Sequence, residues 1–466
     1  MNDNSARHIF ILIALALAML VAASLIPWSD MTGNRLKDFN LLEDVLPRPD
    51  HVAASASMIT DPELRELMAE AVEAPADGNA VAPDSAAADT VVWIPPVTEA
   101  PRVDGHVVVE SYTGDVPLAR FRAALAQAGQ RLVRVAVVGD SFIEGDIFTQ
   151  DLRTLLQEAY GGRGTGYMTI HSEMPGFRRS VRQSSSGWEM RNLHNIGGSD
   201  SIRILAGEYG IAGPGATTTY RGTSQAPGTA AWDRTGVLVL ARDSCTVEIG
   251  TDAGTQAYEL APSAAPQWLE ANGTTATATI GCPEGAVVLG TYLDGTSGVA
   301  VDCMSGRGNS GLNLRRLNPA MNSAVSYDLI ILEFGINALS AEQTEYNAYR
   351  AGMEKSVERI RRIWPEADIL ILGIADRGAK INGAVKSLPT CNAMTEAQRE
   401  LARRTGTHFY DLRAAQGGEN AVVDWRARNL VNADYIHLNH AGGKVLAEEF
   451  MEGLRLSLLT TTPDYQ

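Results

Sequence analysis

Short, almost wholly apolar stretches recur at both ends of the globular part of the chain. They predict buried strands at RVAVVGDS (134–141), YDLIILEFG (327–335), ADILILGIAD (367–376) and THFYDL (407–412). Amphipathic stretches with helical spacing flank them at 116–129, 148–162, 340–365, 391–406 and 440–459. Buried strands that alternate with helices are typical of a parallel sheet covered on both faces. The pattern therefore predicts an α/β fold with three layers.

The middle of the chain follows a different pattern. From 167 to 304 it is rich in Gly, Thr and Ser, and its apolar residues come in short runs such as TGVLVLARDS and GAVVLGTYLDG. Runs of this kind, separated by turn residues and without a long helix, predict an inserted β-sandwich or jelly-roll domain. The α/β domain is therefore expected in two parts, 104–166 and 305–460, on either side of the 167–304 insertion.

The segment before residue 104 predicts export. Arg7 and His8 precede an uncharged apolar run over 9–27, which is long enough to cross a bilayer. One interpretation is a transmembrane signal anchor with a cytoplasmic N-terminus at 1–8; a cleaved signal peptide and a buried core helix are the others. Residues 28–103 begin as a juxtamembrane segment and become an Ala- and Pro-rich flexible linker. We therefore expect a periplasmic or otherwise extracytoplasmic protein, tethered to the inner membrane by this single helix.

Charge and cysteine content narrow the partners. The chain has 466 residues, enough for two folded units with additional segments, and its net charge is −16. An acidic balance argues against nucleic acid and against anionic membrane surfaces as partners. The four cysteines, Cys245, Cys282, Cys303 and Cys391, match no metal-ligand spacing, and we expect no metal. A Cys245–Cys282 disulfide and free thiols both remain open.

The motif VVGDSFIEGD places Ser141 directly after an apolar strand. In an open parallel sheet, active sites lie at the carboxyl ends of the strands. A serine there, at the start of the next helix, would offer a nucleophilic hydroxyl and a backbone N–H for an oxyanion. The alternative is that Ser141 only caps that helix.

The segment DYIHLNHAGG carries Asp434 and His437 three residues apart, just before the last predicted helix. A serine hydroxyl needs a base to take its proton, and the imidazole needs a carboxylate to fix its tautomer. These two side chains could supply both, although a helix cap beside a surface histidine has the same spacing. The single histidines His171, His194 and His440 are weaker candidates, and His440, near the site, fits a cap of the last helix. Glu144 and Asp146 suit a helix N-terminus and are assigned no catalytic part.

Two further segments follow strands at the same predicted edge of the sheet. LEFGINALS contains Asn337, whose side-chain N–H could stabilise a developing oxyanion. DCMSGRGNSG (302–311) is a glycine loop whose backbone N–H groups can approach a substrate closely, with Gly308 as first choice and Gly306 as second. Its GxGxxG spacing also fits a dinucleotide loop, but Asp328, the acidic residue at the required distance, begins its strand instead of ending it.

In this order, GDS, a glycine loop, G-x-N and D-x-x-H resemble the SGNH (GDSL-like) hydrolases. The resemblance implies a flavodoxin-like α/β fold and a serine esterase that needs no cofactor. It implies that Ser141 is the nucleophile, His437 the base and Asp434 the carboxylate that orients it. The implied oxyanion hole consists of the Ser141 N–H, the Gly308 N–H and the Asn337 side chain.

The resemblance extends over about residues 130–455. GDSFIEGDIFTQDLR, YGGRGTGY, the β-rich insertion and DYIHLNHAGG are similar to the peptidoglycan O-acetylesterase branch of the family. In that branch the insertion resembles a carbohydrate-binding module, and the substrate is an acetylated glycan. Ala338 departs from the family pattern, because many members have Asp there.

Three functions remain open at this point. An exported serine esterase would remove O-acetyl groups from an envelope or extracellular glycan through an acyl-enzyme. An O-acetyltransferase acting on an envelope polysaccharide would use the same residues, with a sugar hydroxyl in place of water. A non-catalytic glycan-binding or assembly protein would have no reason to keep the five site residues together. A lipid ester is a further alternative substrate.

Overall fold

Two large sheets of different kinds and two small two-stranded sheets occur within residues 98–461, the part of the chain that this computed structural model describes. The predicted cytoplasmic segment 1–8, the apolar run 9–27 and most of the 28–103 linker lie outside these residues. Between residues 98 and 461, no helix has both the length and the apolar character that crossing a membrane requires.

The strands are short in the α/β part and longer in the insertion. They are β1 (Arg102–Val103), β2 (His106–Val107), β3 (Glu110–Ser111), β4 (Leu132–Gly139), β5 (Gly164–Met168), β6 (Val181–Arg191), β7 (Tyr209–Gly222), β8 (Trp232–Leu240), β9 (Cys245–Thr251), β10 (Gly254–Leu260), β11 (Gln267–Thr275), β12 (Thr277–Cys282), β13 (Val287–Asp294), β14 (Gly298–Ser305), β15 (Leu329–Glu333), β16 (Asp368–Leu372), β17 (Gly378–Ile381), β18 (Ala384–Ser387) and β19 (His408–Tyr410). The α-helices are α1 (Ala119–Leu125), α2 (Thr149–Tyr160), α3 (Pro319–Asn322), α4 (Asn347–Ile363), α5 (Cys391–Thr405), α6 (Leu412–Gln416), α7 (Ala421–Ala427) and α8 (His440–Leu459).

The α/β part is built on a six-stranded sheet in the order β14-β4-β15-β16-β19-β3. All neighbours run parallel except β19 and the short edge strand β3, which the sequence pattern did not predict. Side chains alternate across the sheet: Val135 and Val137 enter a core with α1, α2 and α8, whereas Ala136 and Val138 enter a core with α4 and α5. The predicted three-layer α/β arrangement is confirmed.

The insertion forms one antiparallel sheet from β5 to β13. Its main path is β10-β9-β12-β7-β13-β8-β11, with β5 paired to β13 and β6 to β7. The sheet curls until its two end strands meet. At this contact the Tyr258 hydroxyl of β10 donates to the Glu270 carbonyl of β11 at 2.6 Å. The curl encloses an apolar core that contains the fully buried Trp232 and Tyr220. The predicted β-rich insertion is confirmed, as a single curled sheet.

A buried ion cluster joins the two sheets. The Arg134 guanidinium of β4 pairs with Asp302 of β14 at 2.9 Å and also with Asp294 at the end of β13. Asp302 also accepts the backbone N–H of Tyr167 in β5 at 2.8 Å. Because buried charges need complete partners, this cluster fixes how the insertion sits on the parallel sheet.

Three boundaries differ from the sequence expectation. Strand β5 pairs with β13 in the insertion, although the 104–166 range assigns most of it to the α/β part. The strand β14 lies in the parallel sheet beside β4, although the 167–304 range assigns almost all of it to the insertion. The helix expected over 340–365 begins only at Asn347. Before it, polar groups bond locally: the Ser340 hydroxyl donates to Glu342 at 2.8 Å, and the Ser340 N–H donates to the Tyr346 hydroxyl at 3.3 Å. Such local bonds compete with helix formation.

Candidate active site

The carboxyl ends of three neighbouring parallel strands meet at one edge of the sheet. In register, Gly139 of β4 lies between Ser305 of β14 and Glu333 of β15. The GDS turn, the glycine loop and the G-x-N turn follow directly after these strands. The three segments that the sequence singled out are therefore brought together.

Ser141, His437 and Asp434 form a continuous hydrogen-bonded path. Ser141 Oγ lies 2.8 Å from His437 Nε2, and His437 Nδ1 lies 2.7 Å from Asp434 Oδ2. The His437 and Asp434 side chains remain 35% and 41% exposed, so the path opens to solvent. The geometry is that of a nucleophile, a base and the carboxylate that orients the base.

Charge and hydrogen bonding determine the direction in which the pKa values of His437 and Asp434 are shifted. Burial alone would lower the pKa of His437, but the hydrogen bond and charge of Asp434, together with the charges of Asp140 and Glu144, raise it above 6.5. Burial would raise the pKa of Asp434. His437 and the backbone N–H groups of Ile436 and His437 outweigh that effect, so the pKa of Asp434 lies below 3.8. Asp434 is therefore ionised at neutral pH.

A tight loop holds Asp434 and His437 in place. Tyr435, between them, has a left-handed backbone with φ of 57°, which costs about 1–3 kcal/mol for a residue with a Cβ. Backbone bonds hold this conformation: Asn432 N–H donates to His437 O at 2.8 Å, and Gly378 N–H donates to Tyr435 O at 2.9 Å. The loop leads directly into α8, which Asn439 caps by accepting the Gly442 N–H.

Ser141 does not begin a helix, so both the helix-start expectation and the helix-cap alternative are wrong. Helix α2 begins only at Thr149, and Phe148 occupies its N-cap. Between Ser141 and Thr149, the left-handed backbone of Gly145 (φ 71°) and Asp146 (φ 68°) prevents a continuous helix. The turn is held instead by the Asp140 carboxylate, which accepts the Phe142 N–H at 2.9 Å.

The Asn337 amide lies against both neighbouring loops. Its Nδ2 donates to Asp140 Oδ2 at 2.8 Å and to the Asn309 carbonyl at 3.1 Å. Gly335, with φ of 118°, produces the turn that presents it. Asn337 is therefore held in one orientation next to the Ser141 turn.

The glycine loop distinguishes the two candidate N–H donors. Gly306 already donates its N–H to the Gly139 carbonyl at 3.0 Å, which extends the pairing of β14 with β4. Gly308 lies in the following turn, with φ of 69°, just before the Asn309 carbonyl that contacts Asn337. The first choice, Gly308, is therefore better placed than Gly306.

Two buried carboxyl groups beneath the Ser141 turn escaped the sequence analysis. Asp140 and Glu333 are both fully buried. Burial raises the pKa of Asp140 to about 7, against the opposing effects of the Phe142 N–H, His437 and Asn337. Burial and the nearby Asp140 raise the pKa of Glu333 well above its usual range. Burial and mutual repulsion therefore favour the protonated form of Glu333, and Asp140 is the more readily ionised of the two.

The remaining candidates from the sequence are potential metal ligands, the four cysteines and the three single histidines. Between residues 98 and 461, no cluster of three or more potential metal ligands occurs. Cys245, Cys282, Cys303 and Cys391 are all free thiols, so the Cys245–Cys282 disulfide is not formed. His440 is the first residue of α8, while His171 and His194 line a cavity beside the site.

Part of the chain matches a protein-family model, and solved structures align with it to different degrees. The model of the GDSL-like lipase/acylhydrolase family matches residues 243–445, which include Asn337, Asp434 and His437 but begin after Ser141. A search of curated proteins found no significant match. Among solved structures, a peptidoglycan O-acetylesterase aligns with a TM-score of 0.61 and 21% identity, over 75% of this chain and 99% of its own.

Other solved structures align less well. An acetylxylan esterase from Geobacillus stearothermophilus gives a TM-score of 0.28 at 18% identity, over 36% of this chain and 77% of its own. A family two carbohydrate esterase from Clostridium thermocellum gives 0.27 at 11% identity, over 59% of this chain and 100% of its own. Of these three alignments, that with the peptidoglycan O-acetylesterase has the TM-score that supports a shared fold.

Proposed function

We propose that this chain, whose residues 243–445 match the model of the GDSL-like lipase/acylhydrolase family, is an exported serine esterase that removes O-acetyl groups from an envelope or extracellular glycan of the peptidoglycan type. The observation that carries the proposal is the path from Ser141 through His437 to Asp434, with links of 2.8 and 2.7 Å. Both links have the length of good hydrogen bonds, so the serine hydroxyl has a base in place.

Acylation uses the whole path. Ser141 Oγ attacks the ester carbonyl carbon while His437 Nε2 takes the hydroxyl proton, and the carbonyl electron pair moves onto its oxygen. Ionised Asp434 stabilises the imidazolium through Nδ1–H. The tetrahedral intermediate collapses as the sugar oxygen leaves with the proton from His437. The products are a free glycan hydroxyl and an acetyl-Ser141 ester.

Deacylation repeats these steps with water. Water attacks the acetyl carbonyl and gives a proton to His437, and the Ser141 oxygen then leaves and recovers that proton. Acetate is released and the free hydroxyl is restored. A sugar hydroxyl in place of water would give O-acetyl transfer by the same residues, so the acceptor decides between esterase and transferase.

Stabilisation of the oxyanion falls to Asn337 and two backbone groups. A negatively charged oxygen is a stronger acceptor than the neutral Asn309 carbonyl, so it takes over the Asn337 hydrogen that Asn309 now accepts. The Gly308 and Ser141 N–H groups complete the hole. Loss of one such donor lowers kcat by about 10²–10³.

Two features support an acetylated glycan outside the cytoplasm as the substrate. The fold resembles that of a peptidoglycan O-acetylesterase over 75% of this chain. The apolar run 9–27, with positive charge before it, is of the kind that directs the rest of a chain across the inner membrane and can tether it there.

An acetate-release assay tests the proposal. The full chain is incubated with O-acetylated peptidoglycan, acetylated xylan and a small acetyl ester, each with and without a deacetylated glycan acceptor. We expect free acetate from O-acetylated peptidoglycan and from the small ester, and loss of both in Ser141→Ala. The matched control is Ser323→Ala, because that exposed hydroxyl bonds only to the Ala320 carbonyl.

The other outcomes separate the alternatives. Acetyl found only on the added acceptor would favour the transferase. Glycan binding without turnover of any ester would favour the non-catalytic protein. Full activity of Ser141→Ala would contradict the assigned nucleophile.

A further inference from the structure

A cavity of about 340 Å³ lies beside the Ser141 turn, between the glycine loop and the insertion. Gly145 of the Ser141 loop, Asn309 of the glycine loop, and Phe177 and Glu208 of the insertion are among the residues that line it. Its volume is at the lower end of the range for ligand pockets. We propose that this cavity is a subsite for a second sugar of the substrate glycan, with Phe177 as the stacking surface and Glu208 as the hydroxyl-binding group. The inference rests on the proposed function and specifies how its substrate is held.

Exposed large apolar side chains are concentrated at this cavity. Among residues 98–461, Met174, Phe177 and Leu459 are the large hydrophobic residues that remain exposed, at 43%, 38% and 65%. Leu459 ends the last helix, but Met174 and Phe177 both line the cavity. Exposed apolar groups that cluster at a concave site indicate ligand contact more strongly than scattered ones.

Phe177 is fixed in position rather than simply exposed. A Cβ on Gly145 would come within 2.7 Å of the Phe177 ring, so the ring packs directly on the Gly145 backbone. The next residue, Arg178, donates to the carbonyls of Tyr167 at 2.8 Å and Thr165 at 2.6 Å. A ring held on one side and open on the other suits the apolar face of a sugar, with little ordering cost on binding.

The polar lining favours a sugar over an acyl chain. Burial raises the pKa of the Glu208 carboxyl to about 7, so near neutral pH this group can both donate and accept hydrogen bonds. His171, His194 and Arg307 add further polar groups of this lining. A lipid tail would desolvate these groups without replacing their hydrogen bonds, whereas sugar hydroxyls replace them.

The cavity is connected to the catalytic turn. Glu144 donates its N–H to the Ser141 carbonyl at 3.4 Å, and its carboxylate accepts from Arg307 Nε at 2.5 Å. Both Glu144 and Arg307 line the cavity. Because Glu144 is three residues after Ser141, a sugar held in the cavity lies next to the Ser141 turn. The adjoining unit of the same glycan can then present its ester to the Ser141 hydroxyl.

Substrate discrimination tests the inference. For the full chain and each variant, kcat and KM are measured for O-acetylated peptidoglycan fragments and for 4-nitrophenyl acetate. We expect Phe177→Ala to lower the ratio of kcat/KM between glycan and small ester by about tenfold, mainly through KM for the glycan, as loss of one aromatic contact predicts. Phe177→Tyr should restore most of the ratio, since the ring is kept. The matched control Leu459→Ala removes the other exposed hydrophobic and should leave the ratio unchanged.

Binding without turnover provides a second readout. Deacetylated glycan fragments are titrated calorimetrically into Ser141→Ala and into the same variant with Phe177→Ala or Glu208→Met, which keeps a side chain of similar length but removes both carboxyl oxygens. Weaker binding in both double variants supports the subsite. Suppose that the wild type is active and that Phe177→Ala changes neither the kcat/KM ratio between glycan and small ester nor the binding of glycan. This result overturns the subsite and leaves the proposed function standing. Wild type that hydrolyses 4-nitrophenyl acetate but releases nothing from any glycan overturns the proposed substrate, and the subsite with it.

Discussion

At the scale of single residues, Asp434 orients His437 and contributes most among the charges that raise its pKa. Asp434 accepts from Nδ1 at 2.7 Å, which leaves Nε2 as the free acceptor facing Ser141. The same contact raises the pKa of His437 above 6.5. The base is therefore stronger than a free imidazole but must be neutral to act.

This balance predicts a shifted pH profile. Activity requires neutral His437, so kcat/KM on 4-nitrophenyl acetate should fall as pH drops through a midpoint above 6.5. Asp434→Asn removes the charge that raises this pKa, so the midpoint should move down and the plateau fall by about 10³–10⁴. Asp424→Asn, at an exposed position of α7, is the control and should reproduce the wild-type profile. A midpoint that stays in place in Asp434→Asn would contradict the role of Asp434.

Single residues were predictable where their chemistry is local. Ser141, Asn337, Asp434 and His437 stand in short motifs next to apolar strands, and the structure brings all four to one edge. The buried carboxyl of Glu333 was not predictable, because an acidic residue at a strand end is normally exposed and nothing in the sequence marks it as buried.

At the scale of elements, helix α8 approaches the Ser141 loop closely because Gly443 faces that loop, while Gly442 allows an equally close approach to Leu430. A Cβ on Gly443 would lie 2.0 Å from the Ile147 carbonyl, and one on Gly442 would lie 2.0 Å from the Leu430 carbonyl. Ile147 belongs to the segment after Ser141, and Gly443 follows His437 in the chain. The HAGG sequence therefore sets the distance between the two halves of the catalytic path.

Substitution at this contact should affect stability and activity together. Gly443→Ala forces the Ile147 backbone away, so we expect a loss of about 1–3 kcal/mol in the free energy of unfolding and a reduced kcat. Urea denaturation and acetate release measure the two effects. Gly129→Ala is the control, since a Cβ there meets nothing within 4 Å. Equal behaviour of the two variants would show that α8 does not depend on this approach.

Elements were predictable where one pattern dominated. Helices α2, α5 and α8 lie within a residue or two of their predicted ranges because amphipathic spacing and stop signals agree. Strands β6 and β7 were not predicted, because small polar residues and glycines interrupt their alternation. Register and pairing of this kind depend on neighbours distant in sequence.

At the scale of the whole molecule, Arg134 couples the insertion to the parallel sheet through Asp294 and Asp302. Residues of both the α/β part and the insertion line the cavity beside Ser141, and for that reason the sequence could not reveal it. The two sheets also share a core, in which Tyr167 and Tyr292 of the insertion pack with Ala136 and Val138. The insertion is therefore part of the site's architecture.

Loss of the Arg134 ion pairs should lower the free energy of unfolding substantially. Arg134→Met leaves the buried carboxylate of Asp302 without a cation and leaves Asp294 with only Arg234, at 3.5 Å, so we expect a loss of about 3–5 kcal/mol in the free energy of unfolding. The control is Arg362→Met, which breaks an exposed pair with Glu358 at 3.7 Å and should change little. Thermal and urea unfolding provide the comparison. A loss no larger than that of the control would mean that the apolar contacts alone hold the insertion.

Trapping the acyl-enzyme tests the central claim most directly. The full chain is mixed with 4-nitrophenyl acetate, quenched in acid during the first turnovers, and analysed by intact mass and peptide mapping. The account predicts one acetyl group, located on Ser141, which forms and decays with turnover and is absent from Ser141→Ala. Turnover by Ser141→Ala, or a kinetically competent acetyl group on another residue, would contradict it.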